Sequence, residues 1–201
     1  MKRKKVILII LFIALILFLF CFIIFKDNTA KKLKIGNNST SQEIVNYILN
    51  IQAYETTVEV EIITNKNENK YKIKQIYNGE EKNMQEVLEP SNIAGVKIIR
   101  EGNKLKLENT NLNIISIFEN YQYVSDNSLD LCTFIKEYKN NQQSNYEEKI
   151  DKIIMITHNN DKVEKKLYIN KKDGMPLKME IKDNNKNTAV YILYNEVKVN
   201  S

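Results

Sequence analysis

The sequence is poor in the residues that most enzyme sites require. It has one histidine, His158, and two cysteines, and its five glycines are scattered along 201 residues. A histidine-based catalytic triad or metal site needs partners for His158 that the sequence does not supply. The scattered glycines form no glycine-rich phosphate-binding loop. These absences predict a protein that is not an enzyme and that binds no metal or cofactor.

The sequence offers no disulfide framework. Cys21 lies within a long apolar run and Cys132 lies far downstream, so the two should not meet. Cys21 is also a candidate for lipid modification. Bacterial lipoprotein signals place a small residue before that cysteine, whereas Phe20 stands here and apolar residues continue to Phe25. We therefore interpret Cys21 as a residue of a transmembrane helix.

Beyond its N-terminal segment, the chain has no excess of basic residues. The formal net charge of +5 comes from 30 basic and 25 acidic residues. The whole excess is supplied by Lys2, Arg3, Lys4, Lys5 and Lys26. Proteins that bind nucleic acids usually carry a basic face, and the remainder of this chain is close to neutral. We therefore expect no nucleic-acid partner.

An uncharged, strongly apolar run extends from Val6 through Leu15 to Phe25. As a helix rising about 1.5 Å per residue, it would be roughly 30 Å long, the thickness of a bilayer's hydrocarbon core. The basic residues before it favour an N-terminus inside the cell and a domain outside. A cleaved signal peptide is the alternative. We predict a signal-anchor in the cytoplasmic membrane at residues 1–26, a tether at 27–39 and one domain at 40–201.

The domain is predicted to begin with a helix. Thr40 and Glu43 have the spacing of a capping box, in which the side chain of each residue accepts a hydrogen bond from the backbone N–H of the other. Apolar residues then recur with helical spacing at Ile44, Ile48 and Ile51.

The pattern then changes to the period of two that is typical of strands. It predicts about nine strands, and turns such as Gly102-Asn103 and Asp173-Gly174 favour antiparallel pairing. Two helices are predicted between the strands. The first carries Ile114, Ile117, Phe118 and Tyr121, and the second carries Leu131, Phe134, Ile135 and Tyr138, with Ser128 or Asn127 as its N-cap. The predicted fold is α+β and mainly β: a curved antiparallel sheet with lid helices.

Some strands are apolar on both faces. A strongly curved sheet could enclose an apolar cavity lined by Ile153, Met155, Tyr191 and Leu193. The alternative, which the residues alone favour, is that these side chains pack against the helices as core. The candidate cavity or interface residues are these four together with Ile114, Ile117, Phe118, Leu131, Phe134 and Ile135.

The C-terminal part of the domain has an order of strands and turns that is typical of a known superfamily. From Leu167 to Asn200, an apolar strand precedes a turn with Asp173, Gly174 and Pro176, another strand and a final strand containing tyrosine. This order resembles the closing strands of the LolA-like superfamily. The resemblance implies a half-open β-barrel covered by helices, which agrees with the layout predicted from the apolar pattern.

The middle of the domain, from Val87 to Lys139, carries a narrower set of matching residues. They are Glu89-Pro90, Gly95, Gly102, Leu105, Asn120-Tyr121, Asn127, Leu129 and Phe134-Ile135. With these residues the segment resembles the GerS and GerS-related germination lipoproteins of spore-forming clostridia. The resemblance implies a protein outside the cytoplasmic membrane, in the forespore envelope, that assists modification of cortex peptidoglycan. GerS is linked to activating a cortex amidase by direct binding, so such an amidase is the implied partner.

Three functions follow from these observations. The first is an accessory protein that binds a partner through an exposed strand edge or apolar helices. The second is a LolA-like carrier of lipid or acyl chains, which requires an empty cavity of roughly several hundred Å³. Permanent attachment to a membrane argues against the second, because a carrier must leave the membrane. The third is a structural envelope protein with no specific partner.

Overall fold

The computed structural model describes residues 35–36, 38–79, 82–119, 129–158, 163–182 and 188–200. The predicted signal-anchor, with Val6, Leu15, Cys21 and Phe25, lies outside these residues. Within the described ranges, no helix is both long enough and apolar enough to cross a membrane. Residues 35–201 form one compact unit.

The described part of the chain contains two helices and eleven strands. The helices are α1 (Ser41–Leu49) and α2 (Leu131–Asn140). The strands are β1 (Ala53–Thr64), β2 (Glu68–Asn78), β3 (Lys82–Glu89), β4 (Val96–Glu101), β5 (Lys104–Asn109), β6 (Ile114–Glu119), β7 (Asn145–Glu148), β8 (Lys152–His158), β9 (Glu164–Asn170), β10 (Pro176–Lys182) and β11 (Thr188–Asn200).

All eleven strands belong to one curved, unclosed antiparallel sheet, so the predicted mainly-β class is confirmed. The strand order is β6-β5-β4-β3-β2-β1-β11-β10-β9-β8-β7. The first and last strands pair at its centre, where Ala53 lies opposite Asn200 and Thr64 opposite Thr188. The sheet therefore has two halves, β2–β6 and β7–β10, joined by the pair β1–β11.

Helix α1 begins as predicted. The Thr40 hydroxyl accepts a hydrogen bond from the Glu43 N–H at 3.2 Å, and the Glu43 carboxylate accepts one from the Thr40 N–H at 2.8 Å. The second predicted helix is also present as α2, but its N-cap is Asp130 rather than Ser128 or Asn127.

The predicted helix around Ile114, Ile117 and Phe118 is wrong, because these residues form strand β6. Isoleucine is β-branched and favours strands, and apolar residues at almost every position satisfy helical spacing by coincidence. The turn from β5 also fixes a hairpin: the Asn109 side-chain oxygen accepts hydrogen bonds from the backbone N–H groups of Asn111 and Leu112 at 3.1 Å. Tyr121 lies outside the described residues.

The core lies between the helices and one face of the sheet, called here the helix-side face. Its buried apolar residues come from α1, α2, β1, β2 and β8–β11, and they include Phe134, Met155 and Ile192, each with no exposed surface. None of the described residues of β3–β6 belongs to this cluster. The helices therefore cover one part of the sheet, and the β4–β6 end lies outside this cluster, with Leu105 as its one buried residue.

Candidate interaction site

Strands β4, β5 and β6 form the end of the sheet that we call the wing. Its helix-side face is identified by Arg100, whose guanidinium reaches Asp130 at the start of α2. The register places Arg100 opposite Leu105, and Leu105 opposite Phe118, on this same face. By alternation, the other residues of the face are Val96, Ile98, Leu107, Asn109, Ile114 and Ser116. Six of these nine residues are apolar.

Strand β6 is the outer edge of the wing, and all six of its side chains are exposed. Ile114 and Phe118 on the helix-side face are 54% and 38% exposed, and Ile115 and Ile117 on the outer face are 56% and 61% exposed. Exposure of four large apolar side chains on both faces of one strand is unfavourable in water. Such a surface usually marks a place where another molecule binds.

The opposite edge of the sheet, β7, shows the usual protection against pairing with another chain. It has only four residues, and two of them are the acids Glu147 and Glu148. Short, charged edge strands discourage the addition of a further strand. Strand β6 carries one charge, Glu119, at its end. The β6 edge is therefore longer and less charged than the β7 edge, and it is less protected against the addition of a further strand.

Charges on the outer face of the wing are paired within the wing or with β3. Lys104 lies 3.2 Å from Glu119, and Lys106 lies 2.8 Å from Glu108. The ion pairs to β3 are Lys97–Glu86 and Lys82–Glu101. The wing therefore presents apolar surface with little uncompensated charge.

The base of the wing is fixed by a close contact at Gly95, before β4. Gly95 has φ +83°, and a Cβ atom there would lie 2.7 Å from the Thr110 hydroxyl oxygen. The Asn111 amide donates a hydrogen bond to the Ala94 carbonyl oxygen at 2.7 Å. The connection before β4 and the turn after β5 can therefore pack together only because residue 95 lacks a side chain.

Asp130 attaches the N-terminus of α2 to β3 and β4. Its buried carboxylate accepts hydrogen bonds from Asn83, at 2.8 Å, and from Gln85 and Arg100. Burial raises the pKa of Asp130, and the positive charge of Arg100 opposes that shift. Because its oxygens point towards the sheet, Asp130 makes no side-chain capping bond to the helix. We call this cluster the Asp130 clasp.

A second buried ion pair attaches α2 to the other half of the sheet. The Lys165 ammonium of β9 lies 2.8 Å from the Glu137 carboxylate of α2. Lys165 has no exposed surface, and Glu137 is half-buried. The Asp130 clasp and this Lys165 pair therefore fix α2 across the two halves.

Comparison with known proteins identifies the family. A family model described as "Sporulation protein YdcC-like" matches residues 4–201. The chain belongs to the YdcC-like sporulation protein family. Among curated proteins, none matches this sequence significantly.

Solved structures similar to this YdcC-like chain have low sequence identity to it. An uncharacterised conserved protein from Thermus thermophilus is 13% identical, with 81% of this chain and 89% of that chain covered, at a TM-score of 0.53. A LolA superfamily protein from Nitrosomonas europaea is 13% identical, with 81% and 94% covered, at 0.44. A chain of the CwlD amidase–GerS lipoprotein complex from Clostridioides difficile is 21% identical, with 82% and 95% covered, at 0.44. The first of these matches, with a TM-score above 0.5, shows a shared fold.

The structure separates the predicted site residues of this YdcC-like chain into three groups. Ile114, Ile117 and Phe118 lie exposed on β6. Leu131, Phe134, Ile135, Ile153 and Met155 are buried in the core. Tyr191 and Leu193 lie on the outer face, opposite Glu61 and Glu59, and Leu193 is 48% exposed. The structure therefore does not bring Tyr191 and Leu193 together with Ile153 and Met155.

The YdcC-like domain also has a cleft of about 420 Å³ between the end of α1, the end of β2 and α2. Its apolar walls include Leu49, Ile51 and Ile135, and its rim carries Lys136 and Lys139. In the described ranges, no group of three or more His, Cys, Asp or Glu residues is arranged to hold a metal ion.

Cys132 lines this cleft but is 5% exposed, and we expect it to be chemically inert in the folded YdcC-like chain. Burial raises the pKa of its thiol to about 12, and the thiolate is the reactive form. In the full chain with Cys21→Ser, modification by a water-soluble thiol reagent at pH 8 should be at least about 100-fold slower than for an unfolded cysteine. Reaction at the unfolded rate, measured by mass spectrometry with the urea-unfolded chain as control, would contradict this.

Proposed function

We propose that this chain is a membrane-anchored, extracytoplasmic accessory protein of sporulation that acts by binding a protein partner. The observation that carries this proposal is the wing, whose exposed apolar surface lies outside the core. Membership of a sporulation protein family supports the process. The apolar run from Val6 to Phe25 supports the anchor.

The apolar surface of the wing is better explained by contact with a protein partner than by permanent exposure to water. Its helix-side face offers adjacent apolar side chains from three strands, including Ile98, Leu107 and Phe118. Apolar patches of this kind form the centres of protein interfaces, with polar groups at the rim. The candidate partner is a cortex amidase, which the resemblance to germination lipoproteins suggests. The wing would hold this enzyme outside the membrane in an active state.

The proposal predicts a wing-dependent activation. The full tagged chain, purified from sporulating cells, should copurify a cortex amidase, and that amidase should be inactive alone and active with the chain. Leu107→Asp places a charge in the wing's helix-side face and should weaken amidase binding by about ten-fold or more, measured by biolayer interferometry. Leu193→Asp, an exposed outer-face control, should leave binding unchanged.

Two results would overturn this function. One is an amidase that is fully active without the chain. The other is equal affinity of the wild-type chain and the Leu107→Asp chain. Thermal unfolding of both variants shows whether a loss of binding reflects the interface or a loss of the fold.

A lipid or acyl-chain carrier is the second candidate, and the cleft beside α1 and α2 is the observation that favours it. Its volume of about 420 Å³ is within the usual range for small ligands. The space directly beneath the helices, in contrast, is filled by core residues such as Ile44 and Phe134, which have no exposed surface. Lipid recovered at one molecule per chain after gentle purification, identified by mass spectrometry, would support the carrier.

A further inference from the structure

Strand β6 pairs with β5 on one side, and no other described strand occupies its second side. We infer that a second copy of this chain occupies that side, with the two β6 strands pairing antiparallel about a two-fold axis at Ser116. The inference deepens the proposed function, because pairing joins two wings into one larger binding surface.

The sequence of β6 is self-complementary in this register. With Ser116 opposite Ser116 of the second copy, Ile115 lies opposite Ile117 on the outer face, and Ile114 lies opposite Phe118 on the helix-side face. Residues directly opposite in an antiparallel pair share one face of the sheet, with Cα atoms about 4.5–5.5 Å apart. Every large apolar side chain of β6 therefore meets another apolar side chain, and the small serine meets itself at the centre.

The position of the charged residue Glu119 also favours this register. Glu119 lies at the end of β6, where it would face Asn113 of the second copy rather than another carboxylate. It also keeps its ion pair with Lys104 of its own copy. Shifting the register by two residues, with Ile117 opposite Ile117, would place Glu119 opposite Ile115. The centred register therefore avoids placing Glu119 opposite an apolar side chain.

The other edge is less suited to such a contact. Strand β7 has only four residues, and a β7–β7 pair would place the charged Glu147 and Glu148 at the contact. Short, charged edge strands discourage the addition of a further strand. The β6 edge is thus the one at which two copies fit.

The contact between two β6 strands is short, so the dimer should be weak in dilute solution. Standard interfaces bury roughly 800 Å² on each partner, and five residues of a strand span only about 17 Å. Anchoring both copies in one membrane would raise their effective concentration and favour pairing. In the dimer, Ile114 and Phe118 of both copies would form the middle of one continuous helix-side surface.

The register can be tested by disulfide trapping in membranes. The full chain carrying Cys21→Ser and Ser116→Cys should form a disulfide-linked dimer on mild oxidation, because directly opposite residues lie within the usual Cα separation of about 4.4–6.8 Å. We expect at least about ten-fold more dimer than with Asn145→Cys, an exposed control on the β7 edge. Buried Cys132 should not contribute to the crosslink.

Two further variants separate the proposed register from random collision. Ile114→Cys and Phe118→Cys, coexpressed, should crosslink to each other, whereas each alone should crosslink poorly because identical residues there are about 14 Å apart. Ile117→Lys, which changes an exposed side chain, should reduce Ser116→Cys trapping by about ten-fold by placing a charge opposite Ile115.

Equal trapping at Ser116 and Asn145 would overturn the inference. So would crosslinking of Ser116→Cys to a different protein in place of a second copy. Neither result affects the proposed function, which is tested by Leu107→Asp and by amidase binding. Conversely, a trapped dimer with no bound amidase would overturn the proposed function and leave the pairing intact.

Discussion

Replacing Asp130 by alanine is expected to lower the free energy of unfolding by about 3–5 kcal/mol. The substitution removes the acceptor for Asn83, Gln85 and Arg100. The amides would lose their acceptor in a buried environment, and the guanidinium would lose its counter-charge. It would also leave a small cavity at the start of α2. Equilibrium unfolding of residues 35–201 in guanidinium chloride measures the change.

Asp151→Ala is the matched control for this experiment. Asp151 is 75% exposed at its side chain and lies 3.9 Å from Lys152. Exposed ion pairs contribute little, so its removal should change stability by less than about 0.5 kcal/mol. A loss of less than about 1 kcal/mol for Asp130→Ala would show that the Asp130 clasp does not hold α2 to the sheet.

Glu137→Ala should be similarly destabilising, by about 3–5 kcal/mol, although Glu137 itself is only half-buried. The cost arises at Lys165, which has no exposed surface and would keep its positive charge without the carboxylate at 2.8 Å. Glu148→Ala provides the control, because its ion pair with Lys171 is exposed. Chemical unfolding of the two variants should therefore give very different midpoints.

A second substitution tests this explanation. If the unpaired ammonium causes the loss, Lys165→Met in the Glu137→Ala chain should restore most of the stability, because methionine has a similar length and no charge. Lys165→Met alone should be tolerated, since replacing a buried charge by an apolar group is often neutral. A double variant no more stable than Glu137→Ala would rule out the unpaired charge as the cause.

Much of the fold could be predicted because local signals and tertiary structure agree. The capping box at Thr40 and Glu43, the hairpin turns at Gly102 and Gly174, and helix α2 all follow from short-range patterns. Strand β6 was missed because its apolar residues satisfy two periodicities at once. Its assignment depends on hydrogen bonds to β5, which a residue pattern does not contain.

The two buried ion pairs could not be predicted from local pattern in the same way. An aspartate directly before a helix indicates an N-cap, and Asp130 is one, but its carboxylate bonds to β3 and β4 instead. Lys165 had a usable signal, because it shares a strand face with Leu167 and Ile169, which are buried. Its partner on α2 could be identified only in three dimensions.

The pairing of β1 with β11 at the centre of the sheet has a consequence for how the protein folds. These strands come from opposite ends of the domain, so most of the chain must be made before they can meet. Contacts between residues so far apart in sequence slow folding, because a large loop must close before they form. Until Thr188–Asn200 emerges, β1 and β10 are both unpaired on one side. The growing chain therefore passes through a stage at which premature association with other chains competes with folding.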